Sequence, residues 1–307
     1  MKFELTSEQE DFAQTLDKLL SSAATVAAAR AWAEGDSGPG LEAWRRLADL
    51  GVTTLLVPES EGGMGATPVE LAIAFEALGR HAVPGPWVES VAFLPSATDG
   101  LVTIAAPPHT PYALDADVAG ATYVLGEDSV RVASVGELVH SLDPTRRLFS
   151  VTPGDPAEVE APDGAFDLAV LATAAQLLGC GERLLADTVE YAKQRCQFGR
   201  EIGSYQAIKH ALADVRIALD FARPLVLGAA VEGSPRDVSA AKVSAGDAAY
   251  LASRVALQVH GAIGYTREYD LSLWITKVRA LVGAWGTPAF HRARILESLR
   301  STTPGRR

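Results

Sequence analysis

The sequence is poor in the residues that mark metal-binding, disulfide-bonded or nucleic-acid-binding proteins. Its 307 residues include only two cysteines, Cys180 and Cys196, and these lack the spacing of a metal site. Lys and Arg total 27 against 38 Asp and Glu, so the formal charge is −11. This charge disfavours nucleic-acid binding, because neutralising phosphates requires clustered cations. These counts predict reduced thiols, no metal and no nucleic-acid partner.

Long hydrophobic runs are also scarce. The N-terminal stretch MKFELTSEQE lacks the apolar segment of a secretory signal. The longest uncharged run with helical character, residues 168–181, is too short to cross a bilayer. We therefore expect a cytoplasmic protein without a membrane partner, long enough for one to three domains.

Residues 1–91 have a helical pattern. Thr6 or Ser7 is suited to cap a first helix whose apolar residues recur every three or four positions. A second helix, LEAWRRLADLG, is expected to end near Gly51. Thr67, followed by Pro68 and Glu70, has the composition of a third helix start. These signals predict an N-terminal helical domain.

The character of the chain changes twice after this point. Residues 92–162 contain short β-rich runs, VTIAAP, TYVLG, SVRVASV and RLFSV, separated by Gly, Pro and Asp. In residues 163–301 apolar residues again step by threes and fours, and Ser234 with Pro235 marks one helix start. The pattern predicts a mainly α protein with a small β insert and a C-terminal four-helix bundle, followed by a flexible tail at 302–307.

Three local motifs resemble the acyl-CoA dehydrogenase family. VPESEGGMG at residues 57–65 is similar to a glycine-rich loop of that family. YAKQRCQFGREIGSYQAI at residues 191–208 resembles its R-x-x-FG stretch, and LQVHGAIGYTREY at residues 257–269 resembles its Q-x-x-GG-x-GY motif. The motifs follow one another in the family's order across both helical regions, which makes the resemblance specific.

The resemblance implies FAD as a cofactor. In this family the second and third motifs bind the ADP half of an FAD held mainly by a neighbouring subunit. The implied cofactor-binding residues are Arg195, Cys196, Gln197, Phe198, Tyr205, Gln206, Gln258, Val259, His260, Gly261 and Ala262. Arg195 offers a planar fork suited to a pyrophosphate, although a cation at a helix C-terminus is also favourable without a ligand. Gln206 could instead cap the next helix, Gly261 could merely end one, and His260 is more readily explained by packing or solvation than by catalysis.

The catalytic carboxylate of the family is missing from this sequence. Acyl-CoA dehydrogenases use a Glu to take the α-proton, and burial raises the pKa of that Glu toward neutrality. The family places it at one of two positions, and here these positions hold Trp285 and Ala169. Neither side chain accepts a proton, so the sequence predicts no catalytic residue in this chain.

The β region is also shorter than the resemblance requires, and lacks the family's stretches that hold the isoalloxazine ring. An ADP-binding half without a base or ring site resembles the short subunits of heteromeric, two-plus-two acyl-CoA dehydrogenases of actinobacterial steroid degradation. That likeness implies a longer partner subunit carrying the Glu, a bulky acyl-CoA substrate and electron-transfer flavoprotein as acceptor. Two alternatives remain: a self-sufficient homomeric enzyme with an unusual base such as Asp167, and a scaffold protein that binds no flavin.

Overall fold

The computed structural model describes residues 4–95, 100–127 and 129–302. Helices form both ends of this chain and a small sheet lies between them, as the sequence pattern predicted. Most of the predicted tail falls outside the described residues, since the last helix ends at Thr302.

The N-terminal part contains four α-helices and one π-helix. These are α1 (Ser7–Ser22), α2 (Thr25–Ala33), α3 (Gly38–Ala48), α4 (Pro68–Arg80) and the π-helix Val88–Phe93. Thr6 and Thr67 both form capping boxes, in which the Thr side chain and the side chain three residues later satisfy free backbone N–H groups. The cap predictions are confirmed, and Gln9 also donates to Glu70 (2.8 Å), which ties α1 to α4.

A five-stranded sheet follows. Its strands are β1 (Val102–Ala105), β2 (Ala113–Leu114), β3 (Ala121–Leu125), β4 (Val130–Val139) and β5 (Leu148–Pro156). They lie in the order β1-β3-β4-β5-β2, with β1 and β3 parallel and the other described pairs antiparallel. The four predicted β runs are β1, β3, β4 and β5, whereas the two-residue β2 gave no sequence signal. The helical part extends through Phe93, into the stretch predicted as β insert.

The C-terminal part is the helical bundle. It comprises α5 (Ala165–Gln194), a hairpin of β6 (Cys196–Gln197) and β7 (Arg200–Glu201), α6 (Gln206–Glu232), α7 (Pro235–His260), α8 (Leu271–Gly283) and α9 (Pro288–Thr302). Helix α5 packs against α6, α7 and α8, and α9 covers α7. By length and composition α5 could cross a membrane, but 89% of its most apolar window is buried inside the protein. It therefore serves as the central core helix.

Two glycines allow α4 and α5 to cross with their backbones in contact. A Cβ added to Gly79 would lie 2.1 Å from the Gln176 carbonyl oxygen, and one added to Gly179 would lie 1.9 Å from the Glu76 carbonyl oxygen. Both distances are far below van der Waals contact, so only glycine fits. This crossing fixes the N-terminal helices against the bundle.

Candidate functional site

The two positions expected to hold a catalytic carboxylate come together in the interior. Ala169 lies in the second turn of α5, and Trp285 lies in the short link between α8 and α9; neither is exposed. The ring of Phe166, three residues before Ala169 on the same face of α5, meets the Trp285 ring edge-on at 6.1 Å. The structure thus assembles one site from two distant segments.

Trp285 fills this site. Its ring stacks on Phe93 with centroids 4.9 Å apart, and its backbone N–H donates to Thr110 Oγ1 (3.3 Å). His291 Nε2 donates to the Trp285 carbonyl oxygen (3.1 Å). Trp285 has a φ of +55°, a region that non-glycine residues seldom adopt. The link is therefore held by packing and hydrogen bonds in a conformation that costs backbone energy.

One buried carboxyl group near Trp285 was missed by the sequence reasoning. Glu89, in the π-helix Val88–Phe93, is fully buried, and both its carboxyl oxygens lack a hydrogen-bond partner among the described residues. Burial raises the pKa of Glu89, because it penalises the charged form more than the charge of Arg146 favours it. Short π-helical segments often mark functional sites, but the π-helix is visible only in the structure, and the sequence carries no signal for it.

Asp167, the sequence-based candidate for an unusual base, is already engaged. Arg294 binds both of its carboxylate oxygens, with Nη2 to Oδ2 at 3.0 Å. A bidentate Arg pair favours the charged carboxylate and occupies the lone pairs that would accept a substrate proton. The pair also anchors α9 to the start of α5.

The remaining polar groups beside Trp285 are basic or neutral. His291 and Ser239 are fully buried, and His291 Nδ1 lies 3.2 Å from Ser239 Oγ. Burial, followed by the charge of Lys242, lowers the pKa of His291 to about 4. Burial also lowers the pKa of Lys242 to about 7, while its Nζ donates to the carbonyl oxygens of Leu281 and Val282. None of these groups replaces a carboxylate.

The predicted FAD residues gather at the opposite end of α5. Ala169 and Arg195 are separated by 26 positions, about 39 Å at 1.5 Å per helical residue. The β6–β7 hairpin, the start of α6 and the end of α7 surround Arg195 on the surface. The structure therefore brings the two motifs together and separates them from Trp285.

Most of these residues are exposed and available to a ligand. Arg195, Gln206 and Gln258 are exposed, and no described residue forms an ion pair with the Arg195 guanidinium. Tyr205 donates to the Gln197 carbonyl oxygen (3.2 Å), and Phe198 is 92% exposed at a φ of +54°. Cys196, Gln197 and Ala262 are exposed as well, while Val259 and Gly261 are partly exposed.

His260 is the exception in this group. It is buried, it stacks on Tyr191 with centroids 4.1 Å apart, and its Nδ1 donates to the Ala256 carbonyl oxygen (2.8 Å). Burial lowers its pKa. Its Nε2 is buried without a partner among the described residues. The His260 side chain packs beneath the motif at residues 257–269, while the following Gly261, at a φ of +63°, turns the backbone toward the surface.

Comparison with known proteins assigns both helical parts of the chain to one family. Residues 6–100 match the family "Acyl-CoA dehydrogenase, N-terminal domain", and residues 160–300 match "Acyl-CoA dehydrogenase, C-terminal domain". Acyl-CoA dehydrogenase IpdE2 of Mycobacterium tuberculosis is 34% identical over 292 residues, covering 88% of this chain and 90% of the relative.

Solved structures show the same fold. The ChsE4-ChsE5 complex of Mycobacterium tuberculosis has a chain with a TM-score of 0.83 at 23% identity, covering 99% of this chain and 100% of that one. The Tcur3481-Tcur3483 steroid ACAD variant has a TM-score of 0.79 at 20% identity, with 96% and 98% covered. With two family domains matched in order and a relative aligned along nearly its whole length, the chain belongs to the acyl-CoA dehydrogenase family.

Proposed function

We propose that this chain is a non-catalytic subunit of a heteromeric, FAD-dependent acyl-CoA dehydrogenase. The observation that carries the proposal is the filled site at Trp285 and Ala169. The family's base must be a carboxylate that reaches a substrate α-carbon, and a buried indole and a methyl group occupy both positions where it could stand.

The two carboxyl groups in this region do not substitute for the missing base. Asp167 is held by Arg294 through both oxygens. Glu89 is sealed from solvent, and burial favours its neutral form, which cannot take a proton. A partner subunit therefore supplies the Glu in this proposal.

The exposed motif around Arg195 suits the ADP side of FAD, the cofactor of this family. When bound, FAD supplies the hydride acceptor for introducing an α,β double bond. In this chain Arg195 would pair with the diphosphate, and Gln206 and Gln258 would offer hydrogen bonds to the ribose or adenine. Along α5, Arg195 lies about 39 Å from Ala169, which is consistent with binding a flavin whose ring lies in another chain.

Exposed apolar side chains support a partner at the same surface. Phe198 and Tyr265, both within the FAD motifs, are 92% and 76% exposed. Large apolar side chains exposed at a surface are typical of interaction sites. The likeness of fold to a chain of the ChsE4-ChsE5 complex is consistent with a two-plus-two heterotetramer.

The substrate class follows from the relatives. The structural neighbour named as a steroid ACAD favours a bulky acyl-CoA, such as a steroid side-chain thioester. Electron-transfer flavoprotein is the expected acceptor, and the complex would work in the cytoplasm.

Visible absorption spectra test the shared cofactor site. The chain purified alone should be colourless, and co-expression with a longer acyl-CoA dehydrogenase subunit should yield a yellow complex. Arg195→Ala should lower the flavin retained per complex, because it removes the bidentate partner of the diphosphate. Arg45→Ala, which breaks an exposed pair with Glu42, is the matched control and should retain flavin normally. A yellow chain in the absence of any partner would overturn the proposal.

Turnover of the complex tests the role of Trp285. Trp285→Phe should leave the proton-abstraction step intact, since the base lies in the partner. Loss of turnover with normal flavin content and assembly would contradict this assignment.

The buried, unpartnered Glu89 carboxyl near Trp285 favours one alternative, a self-sufficient enzyme that uses Glu89 as its base. That enzyme would turn over an acyl-CoA without a partner and lose this activity in Glu89→Gln. The scaffold alternative predicts that no complex containing this chain changes its flavin content when Arg195 is replaced.

A further inference from the structure

A small positively charged pocket lies between the sheet and the end of α8. Its volume is about 250 Å³, and it is bounded by the loop after β1, the β4–β5 connection and the last turn of α8. His109, His140, Arg146 and Arg279 are its basic residues, and Leu148 and Ala284 are among the apolar ones. We call it the arginine pocket.

The charge of the arginine pocket is opposite to that of the whole protein. The chain carries a formal charge of −11, yet no Asp or Glu is found among the described residues that line this pocket. Clefts lined by one sign of charge concentrate ligands of the opposite sign. The pocket is therefore an attractive site for an anion on an otherwise anionic protein.

Arg146 and its neighbour Arg147 differ in a way that points to a ligand. Arg147 is used structurally, since it pairs with Asp117 (3.0 Å) and lies 3.6 Å from Asp115. No ion pair or side-chain hydrogen bond joins the partly buried Arg146 guanidinium to any residue within 4–95, 100–127 or 129–302. A partly exposed guanidinium that forms no ion pair keeps its N–H groups available for an anion that enters the cavity.

Arg279, which also lines the pocket, provides a second guanidinium. Its guanidinium stacks on the Tyr250 ring at 4.5 Å, which fixes the side chain without using its N–H groups in an ion pair. His109 is held between two rings, with Phe290 at 4.1 Å and Phe166 at 5.4 Å. The cavity thus has donors on two sides and rigid apolar support behind one of them.

We propose that the arginine pocket binds a phosphoryl group of an organic or inorganic phosphate. Two guanidinium forks match a doubly charged phosphoryl group better than a single carboxylate, because each fork can take two oxygens. The volume suits the phosphoryl portion alone, and the open mouth beside Leu142 leaves room for a ligand that continues outward. The site belongs to this chain and is separate from the diphosphate contact expected at Arg195.

The pocket also reaches the Trp285 link. Thr110 and Ala284 both line it, and Thr110 Oγ1 accepts the Trp285 backbone N–H. A bound phosphoryl group would therefore alter the polar environment of this buried indole. Intrinsic tryptophan fluorescence can thus detect binding, in addition to the heat measured by calorimetry.

Isothermal titration of the protein with sodium pyrophosphate at low salt tests the proposal. We expect saturable binding to one site per chain, weakened about tenfold or more in both Arg146→Gln and Arg279→Gln, since each removes a charge-assisted pair. Arg146→Lys should be intermediate because it keeps the charge but loses the fork. Circular dichroism of each variant establishes that it is folded, and Arg236→Gln, at an exposed cation paired with its neighbour Asp237, should bind like the parent.

Three comparisons separate the possible sources of binding. Pyrophosphate binding that is lost in Arg195→Ala but retained in Arg146→Gln would place the anion at the flavin motif and overturn the proposal. Succinate binding as tightly as pyrophosphate would overturn the phosphoryl assignment, as would the absence of saturable binding. If coenzyme A binds more tightly than pyrophosphate, with the same dependence on Arg146, the natural ligand is a coenzyme A thioester. If coenzyme A and pyrophosphate bind with equal affinity, the ligand is a free phosphate anion.

Discussion

Replacing Trp285 by glycine and by alanine gives a sharp test of the buried site. Trp285 is fully buried and stacks on Phe93, so truncation leaves a large cavity. Burial of this kind predicts that Trp285→Ala lowers the free energy of unfolding by about 3–5 kcal/mol. Trp285→Phe keeps one ring in the stack and should cost less, about 1–2 kcal/mol.

Which of the alanine and glycine variants is more stable depends on the backbone conformation at position 285. At a φ of +55° alanine pays a steric cost of about 1–2 kcal/mol that glycine avoids, which exceeds the entropy that glycine loses on folding. Trp285→Gly should therefore be more stable than Trp285→Ala by about 0.5–1 kcal/mol. At most positions in proteins the order is the reverse.

Urea unfolding of the isolated chain, followed by far-UV circular dichroism, measures these differences. Trp87 is the matched control, because it is equally buried but has a φ of −59°. There the alanine variant should be the more stable of the two, by about 0.5–1 kcal/mol. If glycine were also the worse replacement at Trp285, the reasoning about its strained backbone would be refuted.

Two further predictions concern the helix crossing and the buried acid. Gly179→Ala should lower the free energy of unfolding by about 3 kcal/mol, because the new methyl group meets the Glu76 carbonyl oxygen at 1.9 Å. Gly283→Ala is the control and should be nearly neutral, because its methyl group has no atom within 4 Å. Equal melting temperatures of the two variants would contradict the close crossing of α4 and α5. Because burial raises the pKa of Glu89, its contribution to stability is fully present below the ordinary value of 4.5 and is lost as the pH rises through the raised value. Glu89→Gln should flatten this decline in urea titrations from acidic to neutral pH, and an unchanged slope would show that Glu89 is not buried as described.

Local signals in the sequence predicted much of the architecture. Thr6, Thr67 and Ser234 cap the helices where their spacing predicted, because capping is decided within four residues. Helix α2 gave no such signal, since it begins after Ala24 in a left-handed conformation without a side-chain cap. Its start is fixed by surrounding packing, which a local pattern does not contain.

The sequence by itself determined what chemistry is missing: without a carboxylate at either expected position, the base cannot come from there in any fold. Only the tertiary structure decided what stands in its place. Glu89 and Trp285 are almost two hundred residues apart, and no periodicity relates them. The same holds for Arg146 and Arg279, which line one cavity because the β4–β5 connection packs beside the end of α8. Contacts between distant segments depend on how whole helices and sheets pack, and that arrangement depends on the summed burial of side chains along the entire chain.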